Sequence, residues 1–382
     1  MGPLQGFRII ELAGIGPGPF CGMLLSDLGA EVISIERPTR HTGKRDDAVC
    51  MRNRRSLCVD LKKPEGVELV LDLCSGADAL YEGFRPGVAE RLGLGPEPCM
   101  ARNPGLVYGR ITGWGQSGPL AQSAGHDINY IALSGALHAI GRAGEPPLPP
   151  LNLAGDYGGG GLFLALGILS ALLEKSRSGQ GQVVDASMVE GSAALMAVFY
   201  GLHGMGRHST ERGSNLLDTG APFYEVYETR TEATQEPQYI AIGPLEPQFY
   251  ELLIKAIGAD ETQFFPQHDT QAWGDRKARL AAIFRQRSRD QWCQLLEGTD
   301  ACFAPVLSLT EAPDHPHNIA RGSFITVDGI VQPAPAPKFS RSQPATPRAS
   351  AAPGSDTDAL LAELGYSAEK SAALRAAGAI PG

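Results

Sequence analysis

Between Phe7 and Ala186 the chain alternates short apolar runs with helix-length segments, and this alternation restricts the fold more than any other feature. Phe7 to Leu12, Glu31 to Ile35, Leu57 to Leu61, Ala79 to Glu82, Leu106 to Ile111 and Val183 to Ala186 read as strands. Phe20 to Leu28 and Pro64 to Leu73 read as helices, the second with proline near its start, where a missing N–H does no harm. Leu162, Leu166, Leu169, Leu172 and Leu173 recur at helical spacing after Asp156, and another helix starts near Met188. Strands separated by crossover-length helical segments lie parallel, in a sheet covered on both faces. The expected fold class is α/β.

Beyond Gly204 the alternation stops. Gly204 to Gly220 is polar and glycine-containing, which reads as a linker. Phe223 to Glu228 and Tyr239 to Ile242 then read as strands, and Glu246 to Ile257, Trp273 to Phe284 and Ser288 to Leu296 as helices. The expected organisation is a large Rossmann-like domain with a parallel sheet over 1–203, a linker over 204–222 and a smaller mixed α/β domain over 223–322. A C-terminal segment over 323–382 is expected to return to the large domain: Val331 to Pro353 is extended, and short helices follow at Asp356 to Leu364 and Ala368 to Ala377.

The formal net charge of -9 argues against a nucleic-acid binder. The charge is nevertheless uneven. Arg37, Arg40, Lys44, Arg45, Arg52, Arg54, Arg55, Lys62 and Lys63 crowd one stretch, which is either a solvated loop or a patch for a small polyanion. The 7 cysteines form no CxxC pair, so a reducing compartment and no structural metal are expected. The N-terminus lacks a charged-then-apolar signal pattern, and the apolar run from Leu162 to Leu173 is too short to span a bilayer. A cytoplasmic protein without membrane insertion, from a bacterium judging by its Ala, Gly, Arg and Pro richness, is the expectation.

Gly14-Ile15-Gly16-Pro17-Gly18-Pro19, followed by Glu36, superficially matches a dinucleotide fingerprint. The third fingerprint position is Pro19, however, and Pro17 and Pro19 have no N–H for a pyrophosphate. Nicotinamide binding is not expected.

Two ionisable residues stand out further along. His126 has the polar neighbours Asp127, Asn129 and Tyr130, and Gly125 beside it would let the chain approach a ligand closely. Asp156 precedes the glycine run Gly158 to Gly161, at the point where a helix begins. It reads either as an N-cap or as a proton-carrying acid beside bare helix N–H groups that could steady negative charge. Glycines there make sense where something must approach the backbone.

The motifs GHDINY, PLNLAGDYGGGG, GQGQVVDASMVEG, LEPQFYELL, GTDACFAPVL and RGSFI resemble those of the α-methylacyl-CoA racemases, within the family III CoA-transferase superfamily. The likeness runs from Leu4 to about Ser340. It implies racemisation at C2 of 2-methylacyl-CoA thioesters by 1,1-proton transfer through an enolate, with no cofactor, in an interlocked homodimer. It further implies that His126 and Asp156 are the two acid/base groups and that Glu246 orients the histidine. The CoA-binding positions it implies are Arg37, Val59, Asp60, Leu61, Lys62, Gly83, Phe84, Arg85, Arg91, Gly125, Asp127, Ile128, Asn129 and Tyr130. Ile15, Met188, Met196 and Phe223 are apolar candidates for the acyl chain or for the core. Thr219 stands where these proteins commonly have glycine, and Pro244 where alanine is common. The alternatives are CoA transfer with Asp156 as nucleophile, and a CoA-binding protein without catalysis.

Overall fold

The computed structural model describes residues 2–38, 47–231 and 236–382. Arg40, Lys44 and Arg45 of the basic stretch fall outside the described residues. The chain forms two compact units. The first comprises Met1–Ala136, Pro150–Met196 and Gly322–Gly382, and the second Leu137–Pro149 and Ala197–Arg321. The segment 204–222, read from the sequence as a linker, therefore lies inside the second unit, and 137–149 leaves the first.

The first unit is built on strands β1 (Arg8–Leu12), β2 (Glu31–Glu36), β3 (Arg55–Cys58), β4 (Ala79–Glu82), β5 (Val107–Thr112) and β6 (Val183–Ser187), in the order β3-β2-β1-β4-β5-β6. All neighbours are parallel. Alternate residues feed two cores, as a doubly covered sheet requires. Ile10, Leu12, Ile33, Ile35, Leu57, Leu80 and Tyr108 face one side. There they meet Leu69 and Leu73 of helix α2 (Pro64–Ser75). Ile9, Val32, Ala79, Tyr81, Val107 and Ile111 face the other, against Cys21 and Leu25 of α1 (Pro17–Asp27). Helix α1 begins three residues before the predicted Phe20, because Pro17 suits the first helical position.

Strand β3 ends before the predicted Leu61. The Val59 N–H still bonds the Glu36 carbonyl, but the Asp60 N–H is taken by the carbonyl of Ala379, which ends the ladder. Leu360 and Leu361 of a helix at Thr357–Glu363, with Leu374 and Ile380 further on, complete the same core. Within 331–353, Ile330–Pro333 pairs with Phe324–Val327 as an antiparallel hairpin, so its first residues are a strand.

Asp156 is not an N-cap. It sits inside a nine-residue π-helical stretch, Leu153–Gly161, whose N-cap is Asn152, and this stretch runs on into helix α3 (Leu162–Ser178). The continuous helix Leu153–Ser178 has 26 residues and is long and apolar enough to cross a membrane, contrary to the expectation from Leu162 to Leu173 alone. Leu164, Ala165, Ile168, Ala171 and Leu172 of its buried side belong to the core of the sheet, as in a core helix.

The second unit holds an antiparallel sheet of Glu225–Glu228, Tyr239–Ile242 and Phe303–Pro305. Helices Pro247–Ala256, Trp273–Phe284 and Arg289–Leu296 accompany it. Its core gathers Phe223, Tyr227, Ile240, Tyr250, Leu253, Phe284 and Trp292. Phe223 is fully buried, with Tyr250, His268 and Trp273 in edge contact, so it is a core residue.

Candidate active site

In the first unit the strand order reverses direction between β1 and β4, and ligands of open parallel sheets bind beyond the strand ends at such a point. A cavity of about 460 Å³ lies there. It is walled by the loop Gly14–Gly18 after β1, the turn Gly83–Pro86 after β4, and Thr112, Gly113 and Trp114 at the end of β5. Ala124, Gly125, His126, Tyr130, Asp156 and Met188 close it. His126 and Asp156, which lie 30 positions apart in the sequence, thus line one cavity.

Buried polar groups hold these walls. Beneath the first loop, Arg54 pairs with Glu11 at 3.1 Å and donates to the Pro19 carbonyl at 2.5 Å, while the Tyr81 hydroxyl donates to the Gly18 carbonyl at 3.3 Å. Beneath the second, Glu82 accepts the Phe84 N–H at 2.6 Å and the Arg110 guanidinium at 3.0 Å, which fixes the turn Gly83-Phe84-Arg85. Trp114 meets Tyr130 edge to face at 4.8 Å, and the Tyr130 hydroxyl donates to the Gly125 carbonyl. A Cβ on Gly125 would stand 2.8 Å from the Tyr130 ring and 2.9 Å from Trp114, so close packing of these rings is what requires glycine there.

His126 precedes the short helix Asp127–Leu133 as its N-cap, with an exposed side chain. Its backbone N–H donates to Asn129 Oδ1 at 3.0 Å. Asp156 is half-buried. Its Oδ2 accepts from Asn152 Nδ2 at 3.3 Å, and its backbone N–H donates to Asp127 Oδ1 at 2.6 Å. Burial pushes the Asp156 carboxyl above the usual aspartate range. The Asn152 hydrogen bond opposes this, Asp127 adds to it, and His126 opposes it. Burial likewise raises the Tyr130 phenol, with the Asp156 charge adding to the shift. Two of the N–H groups expected to be bare beside Asp156 are engaged. The Asp156 N–H is held by Asp127, and the Tyr157 N–H by the Asn152 carbonyl at 3.2 Å.

The glycines after Asp156 serve helix packing. A Cβ on Gly159 would lie 2.6 Å from the Ser192 nitrogen in helix Met188–Leu195, and one on Gly161 would lie 2.6 Å from the Pro17 carbonyl oxygen. What approaches Gly159 and Gly161 most closely is other backbone. The glycine loop before α1 is likewise unsuited to a dinucleotide. A Cβ on Gly16 would stand 3.1 Å from Asp156 Oδ2, so the loop faces a carboxylate, whose charge opposes a pyrophosphate. Glu36 is buried and accepts the Ser56 hydroxyl at 2.9 Å, away from any ribose role.

Of the CoA-binding positions implied by resemblance, Gly83, Phe84, Arg85, Gly125 and Tyr130 line the cavity, as do Ile15 and Met188 of the apolar candidates. Met196 is not part of that lining and caps the C-terminus of helix Met188–Leu195. Asp127 is buried, while Ile128 and Asn129 are exposed on the first turn of their helix. Val59 is a core residue, so only its backbone is available to a ligand. Asp60, Leu61 and Lys62 form the turn before α2, where Asp60 Oδ1 accepts the Lys62 N–H at 3.0 Å. Arg37 and Arg91 are exposed, and among the described residues neither they nor Arg85 pairs with a carboxylate. Three members of the expected basic patch are neutralised from within. Arg52 pairs with Asp27, Arg54 with Glu11, and Arg55 with Glu31, Glu363 and Asp356.

Glu246 belongs to the second unit. There it is the N-cap of helix Pro247–Ala256 and is exposed, and its side chain makes no capping bond, so the carboxylate is not spent on its own helix. Thr219 adopts a φ of 73°, a left-handed conformation that favours glycine and explains why glycine is common at this position in the resembled proteins. Pro244 is buried, and its carbonyl accepts from Gln267 Nε2 at 3.0 Å. Sequence reading missed Asn152 and also Tyr81, Glu82 and Arg110, the last three brought to their partners by strand order. Only Asn152, four residues before Asp156 on the same helix, carried a local signal.

The sequence profile of CoA-transferase family III matches residues 4–358. The α-methylacyl-CoA racemase of Mus musculus is 47% identical over 371 residues, covering 96% of this chain and 94% of its own length. The protein of the same name from Homo sapiens is 46% identical over the same shares. Among solved structures, a CAIB/BAIF family protein from Brucella suis matches with a TM-score of 0.79 and 26% identity, covering 95% of this chain and 99% of its own.

Proposed function

This chain belongs to CoA-transferase family III, and on that premise we propose that it is an isomerase, an α-methylacyl-CoA racemase that interconverts the C2 epimers of 2-methylacyl-CoA thioesters. The observation that carries the reading is that His126 and Asp156 line one cavity at the switch point of the sheet. In the direction from R to S, the Asp156 carboxylate takes the C2 proton. The C–H electron pair moves into the thioester as an enolate, and the His126 imidazolium returns a proton to the opposite face. The reverse direction exchanges the two roles. A half-buried carboxyl with a raised pKa suits this work, because a base is most effective when its conjugate acid is not too strong. The chemistry moves protons without changing any oxidation state, so it calls for no redox cofactor and no metal.

Arg85 at the cavity mouth, with Arg37, Lys62 and Arg91 outside it, is assigned to the phosphates of CoA, which guanidinium groups hold through charge-assisted hydrogen bonds. Ile15 and Met188 are assigned to the acyl chain. Glu246 keeps the role of orienting the histidine that the resemblance gives it. A homodimer belongs to the same reading. It is supported by the exposure of Leu162, Leu166 and Leu173 along one helix, and of Leu133, Leu151 and Leu153, since exposed apolar surface of this extent marks an association surface. Sedimentation equilibrium tests this, and a monomer at micromolar concentration would refute it.

The test of the activity is C2 exchange in deuterated water, starting separately from each epimer. His126→Ala should stop label entering the S thioester more severely than the R, and Asp156→Ala the reverse, with net racemisation lost in both. Glu246→Gln should behave as a partial loss of His126. Absence of C2 label from the wild type would refute the racemase. Trapping an acyl group on Asp156, with CoA passed to an added carboxylic acid, would establish the transferase instead.

A further inference from the structure

We propose that Asp127 is a positioning residue, whose buried carboxylate ties the helix beginning at His126 to the backbone of Asp156 and so holds the two bases in register. The inference rests on the two-base reading and moves Asp127 away from CoA contact. Asp127 is 6% exposed and follows His126 directly as the first residue of its helix. Its Oδ1 accepts the Asp156 N–H at 2.6 Å, a short bond of the charge-assisted kind. The strut is built closely on both sides. A Cβ on Gly155 would stand 2.4 Å from Asp127 Oδ1 and 2.8 Å from its Cγ, so any residue but glycine before Asp156 would push the carboxylate off the amide.

The second oxygen, Asp127 Oδ2, is buried without a hydrogen-bond partner among the described residues. A buried carboxylate with one oxygen unmatched is costly to keep, and a helix of this kind could start with a neutral residue instead. The placement makes sense if the carboxylate serves the site. Its charge faces Asp156 and helps to keep that carboxyl protonated to higher pH, on top of burial. The other polar and titratable groups around Asp156 are His126 and Tyr130 from the Asp127 helix and Asn152 and Tyr157 from its own. Arg85 acts on Tyr130, and Cys50 on Tyr157. The loop at Gly16 brings backbone only.

Two variants separate geometry from charge. Asp127→Asn keeps an acceptor for the Asp156 N–H and removes the charge, whereas Asp127→Ala removes both. Asp127→Ala should lower kcat for exchange from both epimers by roughly tenfold to a hundredfold with KM little changed, since displacing reacting groups by about an ångström has effects of that size. Asp127→Asn should recover most of that loss while moving the acidic limb of exchange from the R epimer to lower pH. Equal losses in both variants, or a wild-type kcat and pH profile in Asp127→Ala, would overturn the proposal. The Asp156 carboxyl should also be titrated by carbon NMR in the wild type and in Asp127→Asn. That measurement needs no turnover, so it decides the matter even if the wild type proves to lack C2 exchange or if Asp127→Ala does not fold. A lower Asp156 pKa in Asp127→Asn supports the strut, and an unchanged one refutes it.

Discussion

Replacing Gly159 with alanine sets two opposed effects against each other, and the structure decides which wins. In a helix interior, alanine is favoured over glycine by about 1 kcal/mol, because the backbone loses less freedom. Against this, the new Cβ would lie 2.6 Å from the Ser192 nitrogen, 3.0 Å from the Ala154 carbonyl oxygen and 3.0 Å from the Gly191 carbonyl carbon. All three are backbone atoms, so no side chain can rotate away, and the helices Leu153–Ser178 and Met188–Leu195 must part. Overpacking of this kind costs about 1–3 kcal/mol, and more where backbone has to move. The expected net result is a destabilisation of about 1–2 kcal/mol, the upper part of the overpacking range less the propensity gain. Hydrogen exchange of peptides covering 153–195 should read it as faster opening by roughly five- to thirtyfold. Gly274 gives the control, since a Cβ there meets nothing within 4 Å. Gly274→Ala should be neutral or stabilise by up to about 1 kcal/mol. Slower opening in Gly159→Ala than in the wild type would refute the claim that glycine is needed there for helix contact.

Thr219→Gly should stabilise the second unit by about 1 kcal/mol in a thermal or urea melt, because a β-branched residue is strained at a φ of 73°; a lower midpoint would refute this. Asn152→Ala removes the hydrogen bond that lowers the Asp156 pKa, so that pKa should rise. Because the base form is the carboxylate, the acidic limb of exchange from the R epimer should then move to higher pH, opposite in sign to Asp127→Asn. Arg85→Ala should weaken acyl-CoA binding and flatten its salt dependence, as seen by calorimetry at two ionic strengths, and unchanged affinity at low salt would return Arg85 to a solvated surface role.

Much of the first unit was legible because its information is local. Apolar runs the length of strands, proline at helix starts and the periodic leucines after Asp156 each depend on a few neighbouring residues. His126 and Asp156 were legible as candidates because of their company in the chain. The errors arose where distant backbone entered. Strand β3 ends where Ala379 captures the Asp60 N–H, and helix α1 begins earlier than its apolar residues suggest. The basic stretch read as either a solvated loop or an anion site, yet Arg52, Arg54 and Arg55 are matched by carboxylates from as far off as Glu363.

The sequence by itself determined the α/β class and the succession of elements, and it singled out His126 and Asp156 as candidates, since periodicity and residue chemistry are written along the chain. Tertiary structure alone decided the strand order β3-β2-β1-β4-β5-β6, and with it the switch point at which the cavity opens. It alone decided that Gly159 and Gly161 answer to backbone in other helices, and that Asp127 spends its carboxylate on the amide of Asp156. The physical reason is the same in each case: the group that satisfies a hydrogen bond or fills a contact is chosen by proximity in space, and no local pattern reports that proximity.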